Sequence, residues 1–214
     1  FNMNMRVLNE LFNFILLTSR KYKIDESHDI SHSMNVLHYA HNIFKTQSQI
    51  NPTVVAHKNV IYLSATLHDM CDKKYMDESE GIKAVNEHLD TITTKEENIA
   101  ITQIIRTMSY SKVKKDGFPD LGIYQSAYHI VREADLLSAY DFDRAIIYDM
   151  KANNKNFEDS FKHAETLFEN RVFKHNSDGL FTTEYAKLHY PLLHSQAIQK
   201  INTWKNIIAR PKNM

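Results

Sequence analysis

Glycine and proline are scarce in this chain, with four residues of each among 214. Sheet proteins need many turns, and turns draw heavily on both residues. Apolar residues instead recur at spacings of three and four, the period of an amphipathic helix. In residues 2–19 this spacing joins Met5, Leu8, Leu11, Phe12, Ile15 and Leu16. The sequence therefore predicts an all-α fold in which residues 1–214 form a single compact helical bundle.

Several helix ends are also marked in the sequence. Asn51 and Pro52 have the residue types of an N-cap and a first helical position, and Thr94 with Glu97 forms a capping box. A last helix, or a pair of helices, is expected around Pro191. Residues 109–120 hold the only dense cluster of turn residues and are predicted to form a loop. A break is expected at residues 175–179, and an interruption of a helix is left open at the Asn-rich residues 152–156.

The composition excludes several classes of function. Glycine-rich phosphate loops are absent, which removes dinucleotide-binding and P-loop folds. The 26 basic and 26 acidic residues balance, so a polynucleotide partner is not expected. The single cysteine, Cys71, suits a packing role in a reducing, cytoplasmic setting. No apolar run reaches the roughly 20 residues of a membrane span, so no membrane partner is expected. Because the chain begins at Phe1, a removed leader stays open.

Four polar residues stand on or beside the apolar faces of predicted helices. His32 lies one turn before Val36, at the edge of the apolar face of a helix expected from Ser27. The pair His68 and Asp69 ends the next apolar helix, and Asp135 interrupts the apolar positions of a later one, expected from Leu121. Imidazole and carboxylate are ligands for divalent transition metals. Taken singly, each histidine could be an ordinary core residue, and Asp135 could pair with Arg132 or Arg144.

The order H…HD…D, in the contexts HDISHSMNVLHYA, LSATLHDMCDKKY and IVREADLLSAYDFDRAI, resembles the HD-domain metal-dependent phosphohydrolases. The finer context is similar to a bacterial-type subgroup of single-domain HD hydrolases that includes nucleotide pyrophosphohydrolases. The resemblance implies an HD-type helical core over about residues 20–150 and leaves a C-terminal helical extension over about 151–214. It implies one divalent ion (Mn, Fe, Co, Ni, Zn or Mg). The implied ligands are His32, His68, Asp69 and Asp135.

The resemblance also implies an enzyme in which water attacks a phosphoester or phosphoanhydride of a nucleotide or similar small substrate. Catalytic roles are expected for Asp69, His28, Asp72 and Lys73. Substrate contacts are expected from Lys74, Ser109, Ser111, Lys112 and Arg144. Alternatives stay open: His28 could be exposed beside Asp29, the lysines could be solvated, and Arg144 could pair with Asp141 or Asp143.

The sequence departs from related patterns at several positions. His88 and His129 fit no two-metal pattern, and Met108 stands where the subgroup often has histidine, so a second ion is not indicated. CDKK after the HD pair differs from alarmone hydrolases. A phosphodiesterase of cyclic or oligomeric nucleotides would differ only in pocket shape. The alternative from another class is a non-catalytic helical module that binds a metal or nucleotide for sensing or assembly. The oligomeric state is left open.

Overall fold

The computed structural model describes residues 3–25 and 28–209. This part of the chain contains helices and no strand, so the predicted all-α fold is confirmed. The ten α-helices in these ranges are α1 (Met5–Tyr22), α2 (Ile30–Ile50), α3 (Lys58–Leu67), α4 (Glu78–Leu89), α5 (Lys95–Thr107), α6 (Tyr110–Asp116), α7 (Gln125–Ser138), α8 (Phe142–Ala152), α9 (Phe157–Asn170) and α10 (Glu184–Ile208). Three short 3-10 helices join them: Pro52–His57, Gly122–Tyr124 and Val172–Lys174. None of the helices described is long and apolar enough to cross a membrane.

Polar side chains cap the first two helices. Asn4 accepts a hydrogen bond from the backbone N–H of Val7, so α1 begins at Met5, three residues later than the predicted start. Asp29 accepts from the backbone N–H of Ser31 at 3.0 Å and caps α2. Residue 2 and Ser27, the predicted starts of these helices, lie outside the described residues. The capping box of Thr94 with Glu97 is confirmed at the start of α5.

Helices α2, α3 and α7 pack against one another at the centre of the bundle. The buried face of α2 carries His32, Val36, Ala40 and Ile43, as expected for the residues around Val36. Helical spacing in the sequence also places Met34 on an apolar stripe with Ile30 and Leu37, yet Met34 is 37% exposed.

The segment from Asn51 to His68 shows why an imidazole ends an apolar helix. Asn51 is the N-cap and Pro52 the first helical position, as the sequence predicted, but the segment they open, Pro52–His57, is a 3-10 helix separate from α3. Helix α3 follows and is buried from Val60 through its end at Leu67. His68 occupies the C-cap position and is itself buried. The chain leaves the helix directly after it, so Asp69 belongs to the following turn.

The break expected at residues 175–179 is confirmed, and the interruption left open at residues 152–156 is present. Asn154, in the segment 152–156, has a positive φ of 51°, and Gly179, in the segment 175–179, has a φ of 70°. The prediction of a loop over residues 109–120 is wrong, because residues 110–116 form α6. Val113 is buried and gives this short helix an inward face, while the glycine and proline of the segment come only after it.

The C-terminal extension is tied to α7 by a buried carboxylate. Helix α10 is one continuous helix that includes Pro191, and it packs against α2 and α7. Glu133 of α7 accepts hydrogen bonds from the backbone N–H groups of Thr182 and Thr183, at 2.8 and 3.0 Å, and from both of their hydroxyls. Residues just before α10 are therefore fixed to the helix that carries Asp135.

Helix α4 supports the turn that follows the HD pair. Gly81 lies so close to this turn that an added Cβ would come within 2.7 Å of the Cys71 Cα and of the Met76 Sδ. Backbone atoms cannot move aside as a flexible side chain can. The absence of a side chain at Gly81 thus allows α4 to pack against the segment that carries Asp72 and Lys73.

We expect Gly81→Ala to lower the free energy of unfolding by roughly 1–3 kcal/mol, because the added methyl group overpacks this contact. Urea denaturation would measure the change. Lys83→Ala is the matched control, since Lys83 lies on the same helix with 78% of its side chain exposed and its loss should change stability little. Equal unfolding midpoints for the wild type and Gly81→Ala would contradict the close approach.

Candidate metal centre

His68 is oriented by the end of its own helix. Its Nδ1 lies 2.8 Å from the carbonyl oxygen of Ala65. A backbone carbonyl can only accept, so Nδ1 carries the proton and donates it there. In the neutral form of the ring, the form that binds a metal, the lone pair is on Nε2, the atom that points toward His32 and Asp135. Metal-binding histidines in proteins are commonly fixed in this way.

Side chains from three helices meet at this nitrogen. His32 Nε2 lies 3.1 Å from His68 Nε2. The Asp135 Oδ1 lies 3.3 Å from the first nitrogen and 3.6 Å from the second. Ligand bonds of about 2.0–2.2 Å in tetrahedral or octahedral geometry place neighbouring ligand atoms roughly 2.8–3.6 Å apart. His32, His68 and Asp135 therefore form a group that could hold a metal ion.

Asp69 adds a second carboxylate beside the two imidazoles. Its Oδ2 lies 3.4 Å from the Nε2 of His32 and 3.4 Å from that of His68. This oxygen is buried and has no hydrogen-bond donor among the described residues. A buried carboxylate oxygen without a donor is costly, and a bound cation would compensate it. The donor set of two imidazoles and two carboxylates fits a divalent ion.

The sequence left open whether Asp135 pairs with Arg132. In the structure Arg132 donates to Glu133 at 3.0 Å and to the Leu180 carbonyl at 2.5 Å. Asp135 instead faces the two imidazoles, and 31% of its side chain is exposed. Asp135 therefore lies on the inner face of α7 as a neighbour of the two histidines and not as a partner of Arg132.

The four side chains of the centre shift the pKa of one another. Burial lowers the pKa of His32 to about 4, so this ring is neutral near pH 7. Burial alone would also lower the pKa of His68, but the carboxylates of Asp69 and Asp135 outweigh it and raise that pKa to about 9. Burial opposes ionisation of Asp69 and Asp135, yet interaction with the imidazoles holds the pKa of each below its ordinary value. The centre thus attracts positive charge.

A cavity of about 280 Å³ opens beside this centre. Nine residues predicted for the site line it: His68, Asp69, Asp72, Lys73, Lys74, Ser109, Ser111, Lys112 and Asp135. The structure thus brings most of the predicted ligands and substrate contacts to one space. Ser109 and Ser111 come close through the first turn of α6, with their hydroxyl oxygens 3.4 Å apart.

Some of the cations around this cavity are already paired. Lys112 Nζ lies 3.1 Å from Glu78 Oε1, and Arg106 Nε lies 3.6 Å from the same oxygen. Lys74 Nζ lies 3.5 Å from Asp72 Oδ2, and the backbone N–H of Lys74 donates to Asp72 Oδ1 at 2.9 Å. Asp72 therefore orients Lys74. The side chain of Lys73 is exposed at the cavity wall.

His28 lies close to the centre but behind the cavity lining. Its side chain is 12% exposed, so the alternative of an exposed residue is wrong. Its Nδ1 lies 3.1 Å from the Tyr75 hydroxyl, and its ring centroid lies 6.1 Å from that of His32. The Tyr75 hydroxyl also donates to the Asp25 carboxylate. His28 is thus held in a polar cluster next to His32.

Arg144 is the predicted substrate contact that the structure places elsewhere. It lines a second cavity of about 690 Å³, together with His32, His38 and Lys200. Its backbone N–H donates to Asp141 at the start of α8. The two cavities meet the centre from different sides, since His32 lines one while His68 and Asp135 line the other.

Tyr110 and Arg171 are among the residues of the first cavity that sequence reasoning missed. Tyr110 lay in the segment assigned to a loop, and Arg171 lies after the last residue of the H…HD…D pattern. No spacing in the sequence connects Arg171 to Asp135. Cys71 also lines the cavity, where burial raises the pKa of its thiol to about 12 and keeps it unreactive, as expected for a packing residue.

We expect His68→Ala and Asp135→Ala to lose bound metal while keeping the helical fold, because each removes a ligand and little apolar burial. Inductively coupled plasma mass spectrometry of purified protein would measure metal per chain, and far-ultraviolet circular dichroism would check helicity. His163→Ala, an exposed histidine on α9, is the control and should retain metal. Wild-type metal content in either ligand variant would contradict the assignment.

Comparison with known proteins supports the fold. No family model matches this sequence, and no curated protein does so either. A protein from Lactobacillus plantarum, whose crystal structure was determined as a Northeast Structural Genomics target, has a similar structure with a TM-score of 0.65. The match covers 96% of this chain and 98% of that one at 18% sequence identity. At this identity the likeness concerns the fold.

Proposed function

We propose that the protein is a metal-dependent phosphohydrolase of the HD type that acts on a nucleotide or a similar small phosphorylated compound. The observation that carries this proposal is the convergence of His32, His68, Asp69 and Asp135, whose imidazole nitrogens lie 3.1 Å apart with carboxylate oxygens 3.3–3.6 Å from them. The order of these residues along the chain is that of the H…HD…D pattern.

Each part of the site has a role in this proposal. A divalent ion held by the four ligands would polarise a phosphoryl oxygen and lower the pKa of water. The Asp69 oxygen without a donor would orient the attacking water. Lys73 and the hydroxyls of Ser109 and Ser111 would donate to phosphoryl oxygens, where negative charge collects during transfer. His28 is placed behind His32, where the Tyr75 hydroxyl keeps its ring in position.

The surroundings of the site favour a small substrate. The cavity of about 280 Å³ is of the size that takes a phosphate chain or a small ligand. Glu78 compensates Lys112 and Arg106, so the wall does not present the continuous positive charge that a polynucleotide backbone requires. The zero net charge of the chain agrees with this. We therefore propose a nucleotide or a compound of similar size as the substrate.

The test is release of phosphate and pyrophosphate from nucleoside triphosphates, nucleoside monophosphates and cyclic dinucleotides. Chelator-treated protein would receive Mn, Co, Ni or Mg in turn. We expect turnover that requires one of these ions and falls at least about a thousandfold in Asp69→Ala, because that variant loses both a ligand and the residue that orients water.

His163→Ala is again the control and should match the wild type. The compounds that react would identify the bond cleaved and would separate a pyrophosphohydrolase from a phosphodiesterase. Turnover that survives both chelation and Asp69→Ala would contradict the proposed function. A metal-loaded protein inactive on every compound would also contradict it and would favour the non-catalytic sensing module.

A further inference from the structure

Arg171 enters the first cavity from the C-terminal extension. It follows the last residue of α9 and precedes the 3-10 helix Val172–Lys174. Its backbone N–H donates to the Leu167 carbonyl at 2.9 Å, and its own carbonyl accepts from Lys174 at 3.1 Å. The backbone at this position is therefore fixed on both sides. The side chain lines the same cavity as His68, Asp69 and Asp135.

The guanidinium of Arg171 lies over an aromatic ring. Its Cζ lies 4.0 Å from the centroid of Tyr110, a distance typical of a cation–π contact. Tyr110 in turn packs against the ring of His175, with centroids 5.9 Å apart. A cation–π contact uses none of the guanidinium N–H groups as hydrogen-bond donors to an oxygen, so they stay available to donate.

No partner compensates these N–H groups within residues 3–25 and 28–209. No carboxylate there lies within 4.0 Å of the guanidinium nitrogens, and no acceptor there receives a hydrogen bond from them. Burial lowers the pKa of Arg171, and the nearby charge of Asp135 acts in the opposite direction. A half-buried cation with unused donors is unfavourable unless something binds it.

The contrast with Arg132 shows that this arrangement is specific. Arg132 is also buried, but it donates to the Leu180 carbonyl, to Glu133 and to the Nδ1 of His129. These three acceptors receive hydrogen bonds from Arg132 and fix its side chain in the core, so its role is structural. Arg171 is only partly buried, has no such partners among the described residues, and lines the cavity.

We propose that Arg171 binds a phosphoryl group of the substrate through the N–H edge of its guanidinium. The proposal rests on the proposed function and deepens it, because it adds a phosphate contact outside the H…HD…D core. The planar guanidinium matches two oxygens of one phosphate group, which the point charge of a lysine cannot do. The hydroxyls of Ser109 and Ser111 and the cation of Lys73 line the same cavity and complete an oxyanion site.

This assignment gives the C-terminal extension a part in substrate binding. The core segment supplies the proposed metal ligands, and the extension supplies an arginine to the cavity next to them. Helix α6 joins the two parts, since it contributes Tyr110 to the stack and Ser111 to the lining. Substrate binding therefore depends on the position of α9 relative to α7.

Binding of inorganic pyrophosphate to the purified protein, followed by isothermal titration calorimetry, tests the proposal. We expect Arg171→Gln to weaken pyrophosphate binding about tenfold or more, the loss that corresponds to a charge-assisted hydrogen bond. Arg171→Lys should lie between the two, because it keeps the charge and loses the paired donors. Lys174→Gln is the matched control, an exposed cation three residues further along the same turn, and should bind as the wild type does.

Metal content and thermal midpoint are measured on every variant, so that loss of the ion or of the fold is not mistaken for loss of the anion contact. Arg171→Lys keeps the test informative if Arg171→Gln does not fold. Unchanged pyrophosphate affinity in the variants of Arg171, or no measurable binding by the wild type, overturns the proposal. A loss of metal or of stability that fully accounts for weaker binding overturns it as well.

This experiment requires no turnover, so its outcome is separate from that of the hydrolysis panel. Pyrophosphate binding that depends on Arg171 in a protein without hydrolytic activity would support the phosphate contact and contradict the enzyme. If the protein hydrolyses a substrate but its affinity for pyrophosphate does not change when Arg171 is replaced, the enzyme is supported and the phosphate contact is contradicted.

Discussion

Two imidazoles and two carboxylates come together where α2, α3 and α7 meet. Each of these polar groups can be buried only because the others interact with it. His32 and His68 lie almost without solvent contact, and the acids beside them, Asp69 and Asp135, are at least partly enclosed. Each group alone would be unfavourable in an apolar interior. Together they form a donor set whose spacing suits a divalent ion. The packing of the three helices therefore has to be exact enough to hold the carboxylate oxygens 3.3–3.6 Å from the imidazole nitrogens.

A second buried polar group organises the other half of the molecule. Glu133 lies on the same helix as Asp135 and accepts from the backbone and hydroxyls of Thr182 and Thr183, while Arg132 completes its neutralisation. Removing one partner from such a network would leave a buried charge uncompensated. One helix, α7, thus carries a ligand of the centre on one face and the anchor of the C-terminal extension on another. The position of Arg171 depends on both.

The sequence predicts much of this from local chemistry. Caps such as Thr94 with Glu97 act within one turn, and polar residues such as His32 on an apolar face are visible in the helical period. What the sequence does not show is proximity between distant segments. Arg171 lines the first cavity although it follows α9, far along the chain from the other lining residues, and Arg144 lines the second cavity instead. The sequence did not predict the short helix α6, because its segment is rich in turn residues and only a single buried residue gives it an apolar face.

An ion shared by α2, α3 and α7 would also act on the thermodynamics of folding. The ligands are brought together only in the native chain, so the unfolded chain would bind the ion weakly. By mass action, the free energy of unfolding would then rise with the logarithm of the free metal concentration above the dissociation constant. The bonds between the ion and its ligands would form a reversible cross-link between three helices that are distant in sequence. The melting temperature of this protein would report on the metal supply around it.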